Sequence, residues 1–520
     1  MNTNGPFVLA VDCGTQSIRG LVFDKKGIIV AQEKLVYDPP YVSDQPEWAE
    51  RDPALYYEEL VQILRTLREK NEKIMESIAG LTITTQRDTT IVLDKDLNVL
   101  RPAILWLDKR KIKKARPIHP IYEAGTRIIG MKKTIEDFSK TTPAHWLMEN
   151  EKNVWKKVHK YVLLSTYLHY KITGKLVDSI SAQTGHMPFN FKKQEWEGPF
   201  GLKGQIFQIP KKMLYPIHPA GTILGNVSES FAKDSGLAIG LPVLASGSDK
   251  ACETLGTGCV DEKTASLSLG SQATIETASS RYYEVQPFIP PFPSAIPGIY
   301  NPEITVYRGF WMVSWFRDEF AFEEKLASEK MGIPAEELLN QRIDSIEPGS
   351  KGLMLQPFWG NELTRPESRG AIIGFSEEHT KYHIYRAILE GIGYALKEGL
   401  LKIEAKSKVE VEKISISGGG AQSDIICQMM ADIFGRSIYK VQTSETSGLG
   451  AAICAFVGLG VYPDFETASK EMIRIVEGYV PDERKKSIYL DLYEGAYKRL
   501  YHRLKPIYMA MEKIDDIDNP

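Results

Sequence analysis

Three short apolar runs open the chain, from Phe7 to Asp12, Ile18 to Phe23 and Ile28 to Tyr37. Polar turns separate them, Cys13-Gly14-Thr15-Gln16-Ser17 first and Lys25-Lys26-Gly27 second. Runs of this length bounded by Gly and polar residues predict strands, and turns this short predict an antiparallel meander. Between about Pro53 and Met75 the apolar spacing lengthens to helical period, which predicts an amphipathic helix. Strand patterns return at Gly80 to Thr84 and near Thr90 to Leu93, and strands then alternate with helices. The opening recurs near Thr264, where Ala265 to Leu269, the turn Gly270-Ser271-Gln272 and Ala273 to Thr277 follow one another. Two halves that each begin strand, hydroxyl-bearing Gly turn, strand predict an internal duplication of α/β domains, residues 1–260 and 261–520, with a boundary near Val260.

Three further stretches have a clear pattern. Phe288 to Pro297 is dense in proline, which removes backbone donors and blocks helix, so an irregular surface loop is expected. Gly448 to Tyr462 is nearly uncharged but shorter than the roughly 20 residues a membrane span needs, which predicts a buried helix. After about Ser487, the spacing of Tyr489, Tyr493, Ala496, Leu500 and Leu504 predicts an amphipathic helix with those side chains on one face.

Composition narrows the function classes. Lys and Arg number 64 against 67 Asp and Glu in 520 residues, a formal net charge of -3, so no global basic field invites nucleic acid or an anionic membrane. The five cysteines are scattered without CxxC pairs, which argues against a disulfide framework or zinc site and fits a reducing cytoplasm. The first residues lack the basic flank and apolar length of a signal peptide, so no export signal is expected.

Candidate chemistry gathers at the turns. A nucleotide's phosphates need close backbone approach and several N–H donors, which a Gly followed by small hydroxyl residues supplies. Asp12-Cys13-Gly14-Thr15-Gln16-Ser17 fits, with Asp12 at the strand end able to hold magnesium through water. Taken alone, such a pattern is as often a plain hairpin turn, and Gly270-Ser271 is weaker still. A third element supports both. Strand-like Ile414 to Ser417 leads into Gly418-Gly419-Gly420-Ala421 and an amphipathic helix carrying Asp424, so a ligand can lie against backbone at the helix start. No GxxxxGK[ST] pattern occurs, and the Gly triplet lacks a dinucleotide fingerprint.

Together with Gly370-Ala371-Ile372-Ile373-Gly374-Phe375 and His383-Ile384-Tyr385-Arg386-Ala387-Ile388-Leu389-Glu390, these turns resemble the FGGY carbohydrate-kinase family, in the expected order from Asp12 to about Pro463. The resemblance implies an α/β, actin-like ATPase (ribonuclease H-like) fold, two duplicated domains around a central cleft that holds ATP and a sugar. It places Gly14, Thr15, Gln16 and Arg19 in a first phosphate loop and Gly270 and Ser271 in a second. Gly419, Gly420, Ala421 and Asp424 fall in the adenosine motif. Many members have Thr where Ser271 stands, and the hydroxyl is kept.

Gly247-Ser248-Asp249 follows the strand from Pro242 to Ala245 and coincides with the family's catalytic Asp, which makes Asp249 the expected base. Without the resemblance, an Asp after a strand is more often a helix cap. Magnesium is expected at Asp12 and Asp249. For the acceptor, Gln86-Arg87-Asp88 resembles the Gln-Arg-Glu segment of the glycerol kinase branch, and the segment from Trp106 to Arg110 resembles another part of that pocket wall. The spacing from Ala421 to Gln428 is closer to the xylulose kinase branch. Lys250, beside the base, stands where many members carry a neutral residue; as a substrate ligand it would favour an acidic acceptor, whereas the alternative leaves it pointing to solvent. The expectation is therefore ATP-dependent phosphorylation of a small sugar or polyol, a ketopentose or a glycerol-like acceptor, by a cytoplasmic enzyme for which a homodimer is allowed. The alternative is an actin-like nucleotide-binding sensor or scaffold that transfers no phosphate.

Overall fold

The expected meander forms as β1 (Phe7–Cys13), β2 (Ser17–Phe23) and β3 (Ile29–Val36), paired antiparallel with Ala10 opposite Leu21. The computed structural model describes residues 5–287, 289–359, 365 and 367–518. All seven residues of β1 are buried, the pattern of a strand covered on both faces. Next to β1 lie β4 (Ile78–Thr85) and then β6 (Pro242–Leu244), both parallel, with β5 (Ile223–Asn226) antiparallel at the edge. The sheet order is β3-β2-β1-β4-β6-β5.

The second sheet repeats this hydrogen-bonding sequence. Its strands are β7 (Thr264–Leu269), β8 (Ala273–Thr277), β9 (Glu303–Val306), β10 (Lys413–Ser417), β11 (Ile438–Val441) and β12 (Ile475–Tyr479), in the order β9-β8-β7-β10-β11-β12. Each sheet runs antiparallel, antiparallel, parallel, parallel, antiparallel. The halves differ at the outer edge: β5 precedes its neighbour in the chain, while β12 follows its neighbour.

Six helices bear on the site or on the match to the sequence pattern. They are α1 (Pro53–Lys70), α2 (Asp249–Gly256), α3 (Lys381–Ser407), α4 (Asp424–Phe434), α5 (Thr446–Gly458) and α6 (Glu483–Leu492). Asp52 caps α1 by accepting from the Ala54 N–H with Pro53 at the first helical position. The helix ends at Lys70 rather than continuing to Met75, because Asn71 leaves helical geometry and a separate turn, Glu72–Met75, follows.

The apolar stretch after Gly448 is a buried helix, α5, and no helix among the described residues is long and apolar enough to cross a membrane. Although it comes late in the chain, α5 packs on the first sheet, its Leu449, Ile453 and Phe456 sharing a core with Val8, Ala10 and Leu21. It crosses α2 closely: a Cβ on Gly450 would lie 1.9 Å from the Cys252 carbonyl oxygen, and one on Gly256 would lie 2.0 Å from that of Thr446. Only glycine fits at either position.

The tail departs from its expected periodicity. Tyr489, Tyr493 and Leu500 are buried as expected, but Ala496 is exposed and Tyr497 is buried in its place. A π-helical turn, Tyr493–Tyr497, lies at this point, and the expected positions resume at Leu500. The charged pair of the C-terminal signature anchors this tail: buried Glu390 accepts from Arg386 Nε at 2.8 Å and from the Tyr489 hydroxyl at 2.9 Å. The proline-rich segment is not wholly irregular. Phe292–Pro293 pairs with Tyr300–Asn301, and the Ser294 carbonyl accepts from the Ser181 hydroxyl; Phe288 lies outside the described residues.

Candidate active site

The first turn of α2 separates the helix cap from the candidate base. Ser248 takes the cap position, its hydroxyl accepting from the Ala251 N–H, and Asp249 is the first helical residue. The cap reading of Asp249 is thereby excluded. Its carboxylate accepts from the Lys250 N–H at 2.8 Å. Burial pushes the Asp249 carboxyl above the usual carboxylate range, Arg87 and Lys250 pull it down, and Glu253 adds to the rise.

Arg87 reaches this corner from the end of β4. Its Nε lies 3.4 Å from the Ser248 hydroxyl, its Nη1 donates to Glu303 at 2.8 Å, and its guanidinium carbon sits 4.4 Å from the centre of the Phe292 ring. Nη2 is buried without a partner. Glu303 stands directly opposite Glu276 across β8 and β9. Burial, with Glu303 next in weight, holds the Glu276 carboxyl well above the usual range, whereas Arg87 is the largest influence lowering Glu303. The negative charge of the pair is thus favoured on Glu303, against Arg87.

The segments expected to hold the acceptor and the first phosphates are hydrogen-bonded into one unit. Trp106 Nε1 donates to the Thr15 hydroxyl at 2.9 Å, which donates to Gln86 Oε1 at 2.7 Å, and Gln86 Nε2 donates to the Tyr56 hydroxyl at 3.0 Å. Asp88 accepts from the His186 N–H at 3.0 Å and lies 2.7 Å from His186 Nδ1. Its short side chain is therefore matched to an imidazole. Asp108 is not available to a ligand: it accepts from the Ala49 N–H and from Arg110, whose guanidinium lies over Trp48 and Trp146.

At the end of β1, Asp12 lies 3.2 Å from Arg19, which also lies 3.4 Å from Glu445 at the start of α5. Burial raises the Asp12 carboxyl to about 7, against the pull of Arg19 and with added repulsion from Asp249, Glu445 and Glu253. Desolvation raises both carboxyls and Asp249 adds to the rise at Asp12, a setting that a divalent cation's charge would relieve. Between β1 and β2 the Gly14 N–H donates to the Ser17 carbonyl at 3.0 Å, and Gln16 is exposed. In the matching turn, Gly270 and Ser271 offer carbonyls to the Phe310 and Trp311 N–H groups, leaving Ser271 exposed.

The three glycines after β10 have different reasons. Gly418 has φ of 84°, and a Cβ on Gly420 would lie 2.4 Å from the Phe310 ring, so both serve the turn and its packing. A Cβ on Gly419 would meet open space, which leaves that face free for a ligand. Ala421 is buried behind it, and the Asp424 carboxylate accepts from Lys440 and from the Tyr479 hydroxyl at 2.7 Å.

Lys250 requires a correction. Its ammonium donates to Glu253 at 2.7 Å and to the Ser268 hydroxyl at 2.7 Å, so it neither points to solvent nor waits for an acceptor's carboxylate. Glu253 stands three residues on along the helix, where a lysine at the start of α2 can reach it. Sequence reasoning also missed His186, Glu303, Glu445 and Tyr56. Glu253 had a signal, the helical spacing from Lys250; the other four are brought in from elements far apart in the chain.

Residues 7–256 match the N-terminal domain, and residues 265–459 the C-terminal domain, of the FGGY family of carbohydrate kinases. The chain is 27% identical over 518 residues to a xylulose kinase of Lactococcus lactis, covering 98% of this chain and 99% of that protein. It is 26% identical over 529 residues to a gluconokinase of Bacillus subtilis, covering 98% and 96%. Its fold matches the ligand-bound xylulose kinase of Lactobacillus acidophilus with a TM-score of 0.82 at 22% identity, covering 97% of this chain and 99% of that one. It matches the ADP-bound glycerol kinase of Plasmodium falciparum at 0.74 and 19%, covering 95% and 98%. Two sheets of the same actin-like pattern, phosphate-type turns at equivalent positions in each, and a match running through both halves make one conclusion: the chain belongs to the FGGY family of carbohydrate kinases and phosphorylates a sugar or polyol with ATP.

Proposed function

We propose that the acceptor is a neutral ketopentose, xylulose first, and that Asp249 is the general base. The observation that carries the choice of a neutral acceptor is that both cations beside Asp249 already have a carboxylate partner: Glu303 for Arg87 and Glu253 for Lys250. A sugar acid would bring a second anion to charges that are already matched. Relatives named xylulose kinase that align over 96% or more of this chain support the same choice.

In the reaction, ionised Asp249 takes the proton of the acceptor hydroxyl as its oxygen attacks the γ-phosphorus of ATP. The bond to the β-phosphate oxygen breaks and ADP leaves. Alignment and charge stabilisation supply most of such a rate enhancement. Arg87, Gln86, Asp88 and Trp106 form the acceptor side. Gly14, Thr15, Gln16, Arg19, Gly270 and Ser271 face the phosphates, and Gly419, Gly420, Ala421 and Asp424 face the adenosine. Mg2+, held by Asp12 and Asp249, would supply positive charge to the phosphates. The two domains divide near Val260.

The screen that tests this measures ADP release from magnesium-ATP with xylulose, other ketopentoses, glycerol, erythritol, deoxyketoses and gluconate. The expected result is the highest kcat/KM with xylulose. A tenfold preference for gluconate would overturn the neutral-acceptor reading. Five free, buried cysteines support a cytoplasmic site, which cell fractionation tests. Sedimentation velocity decides whether the chain pairs as a homodimer.

A further inference from the structure

From the contacts of Lys250 and Glu253, we infer that this pair is a positioning device that ties the helix bearing the base to both nucleotide turns of the other domain. It rests on the assignment of Asp249 and the turns given above. Glu253 is buried, 8% exposed, and each carboxylate oxygen is used. Oε1 accepts from the Ser268 hydroxyl at 2.8 Å and the Ser417 hydroxyl at 2.7 Å, and Oε2 accepts from Lys250 at 2.7 Å. Lys250 also donates to Ser268, at 2.7 Å.

The placement of the two serines gives the contacts their meaning. Ser268 and Ser417 are direct partners in the parallel ladder of β7 and β10. Ser268 lies two residues before Gly270, and Ser417 immediately precedes Gly418. A single carboxylate of the first half therefore holds the ends of both strands that run into the second phosphate turn and the glycine triplet. One helical turn earlier, the same helix begins with Asp249. Thr254 adds a third tie in the same direction, its hydroxyl donating to Glu276 of β8 at 2.8 Å.

A buried carboxylate is costly unless every oxygen is satisfied, and here the two neutral donors both come from the second sheet. A nucleotide that orders the ends of β7 and β10 thus orders the start of α2 through these bonds. Nucleotide binding would thereby steady Asp249 in its working orientation.

Hydrogen exchange on the full chain tests this without knowledge of the acceptor. The probe is magnesium-adenylyl imidodiphosphate, and the readout is exchange of the amides of residues 249–256. In the unsubstituted protein the nucleotide should slow exchange there at least threefold. In the double variant Ser268→Ala with Ser417→Ala, the analogue should bind within threefold of normal affinity while the slowing is lost. Glu253→Gln should behave likewise, and it provides the reading should the double variant fail to fold. Equal slowing in variant and unsubstituted protein, or none in the unsubstituted protein with nucleotide bound, would overturn the inference. Failure of the analogue to bind the unsubstituted protein would instead sink the nucleotide-site assignment beneath it.

Discussion

Replacing Asp249 with asparagine separates the two things its carboxylate does. The amide keeps the size of the side chain and can still accept from the Lys250 N–H, so the start of α2 should be undisturbed. What disappears is a proton acceptor. A positioned base contributes about 10²–10⁴-fold to such a reaction, which is roughly 3–5 kcal/mol of barrier. Stability should move the other way. Because burial raises the Asp249 pKa, the carboxyl favours the fold below the ordinary carboxylate range, and that contribution is lost as pH rises through the raised value. At neutral pH the ionised group is a burden the amide lacks. Coupled measurement of ADP release should therefore show kcat for Asp249→Asn down by about 10²–10⁴-fold, with the acceptor KM little changed. The melting temperature at pH 7 should be equal or higher. Turnover within threefold of normal would refute the assignment, and a large loss of stability would show that the group is structural.

Other expectations follow from the same geometry. Glu303→Met with Glu276→Met should destabilise the protein by about 3–5 kcal/mol by stranding Arg87, and adding Arg87→Met should recover much of it in denaturant titrations. Gly420→Ala should lower stability, because its methyl meets the Phe310 ring, whereas Gly419→Ala should leave stability near normal and raise the KM for ATP severalfold. With Asp12 held at about 7, protons and cation compete for it, so stabilisation by Mg2+ should grow between pH 6 and pH 8 in thermal melts. An equal effect at both pH values would remove Asp12 from the cation site.

Local pattern made much of the fold legible. The meander, the second strand-turn-strand and the buried helix after Gly448 each announce themselves over a few residues, because period and turn chemistry are local. The burial of Tyr497 in place of Ala496 was not legible, since a π turn leaves no mark in the spacing until the packing partner is known. Asp249 was marked as the expected base by the family resemblance and not by its place after a strand, and the direction of Lys250 was not legible at all: Ser268, in a different sheet, is one of its two partners. Glu303 was hidden for the same reason. A like-charged neighbour at Glu276 argues against such a strand pairing on sequence grounds, and only Arg87, arriving from the other half, makes it tolerable.

The crossing of α2 and α5 bears on what the duplication means. Each half has its own sheet, yet the first half's β1 is roofed by a helix supplied nearly two hundred residues after the second half begins. A polypeptide cut near Val260 would leave Val8, Ala10 and Leu21 facing water, and the remainder would present Leu449 and Phe456 with nothing to cover. The repeat therefore describes the pattern of the sheets and not a pair of separable modules. With carbonyls sitting where any side chain at Gly256 or Gly450 would have to go, the two helices are locked together, and the late segment is fastened to the first sheet by a contact too close for either helix to slide.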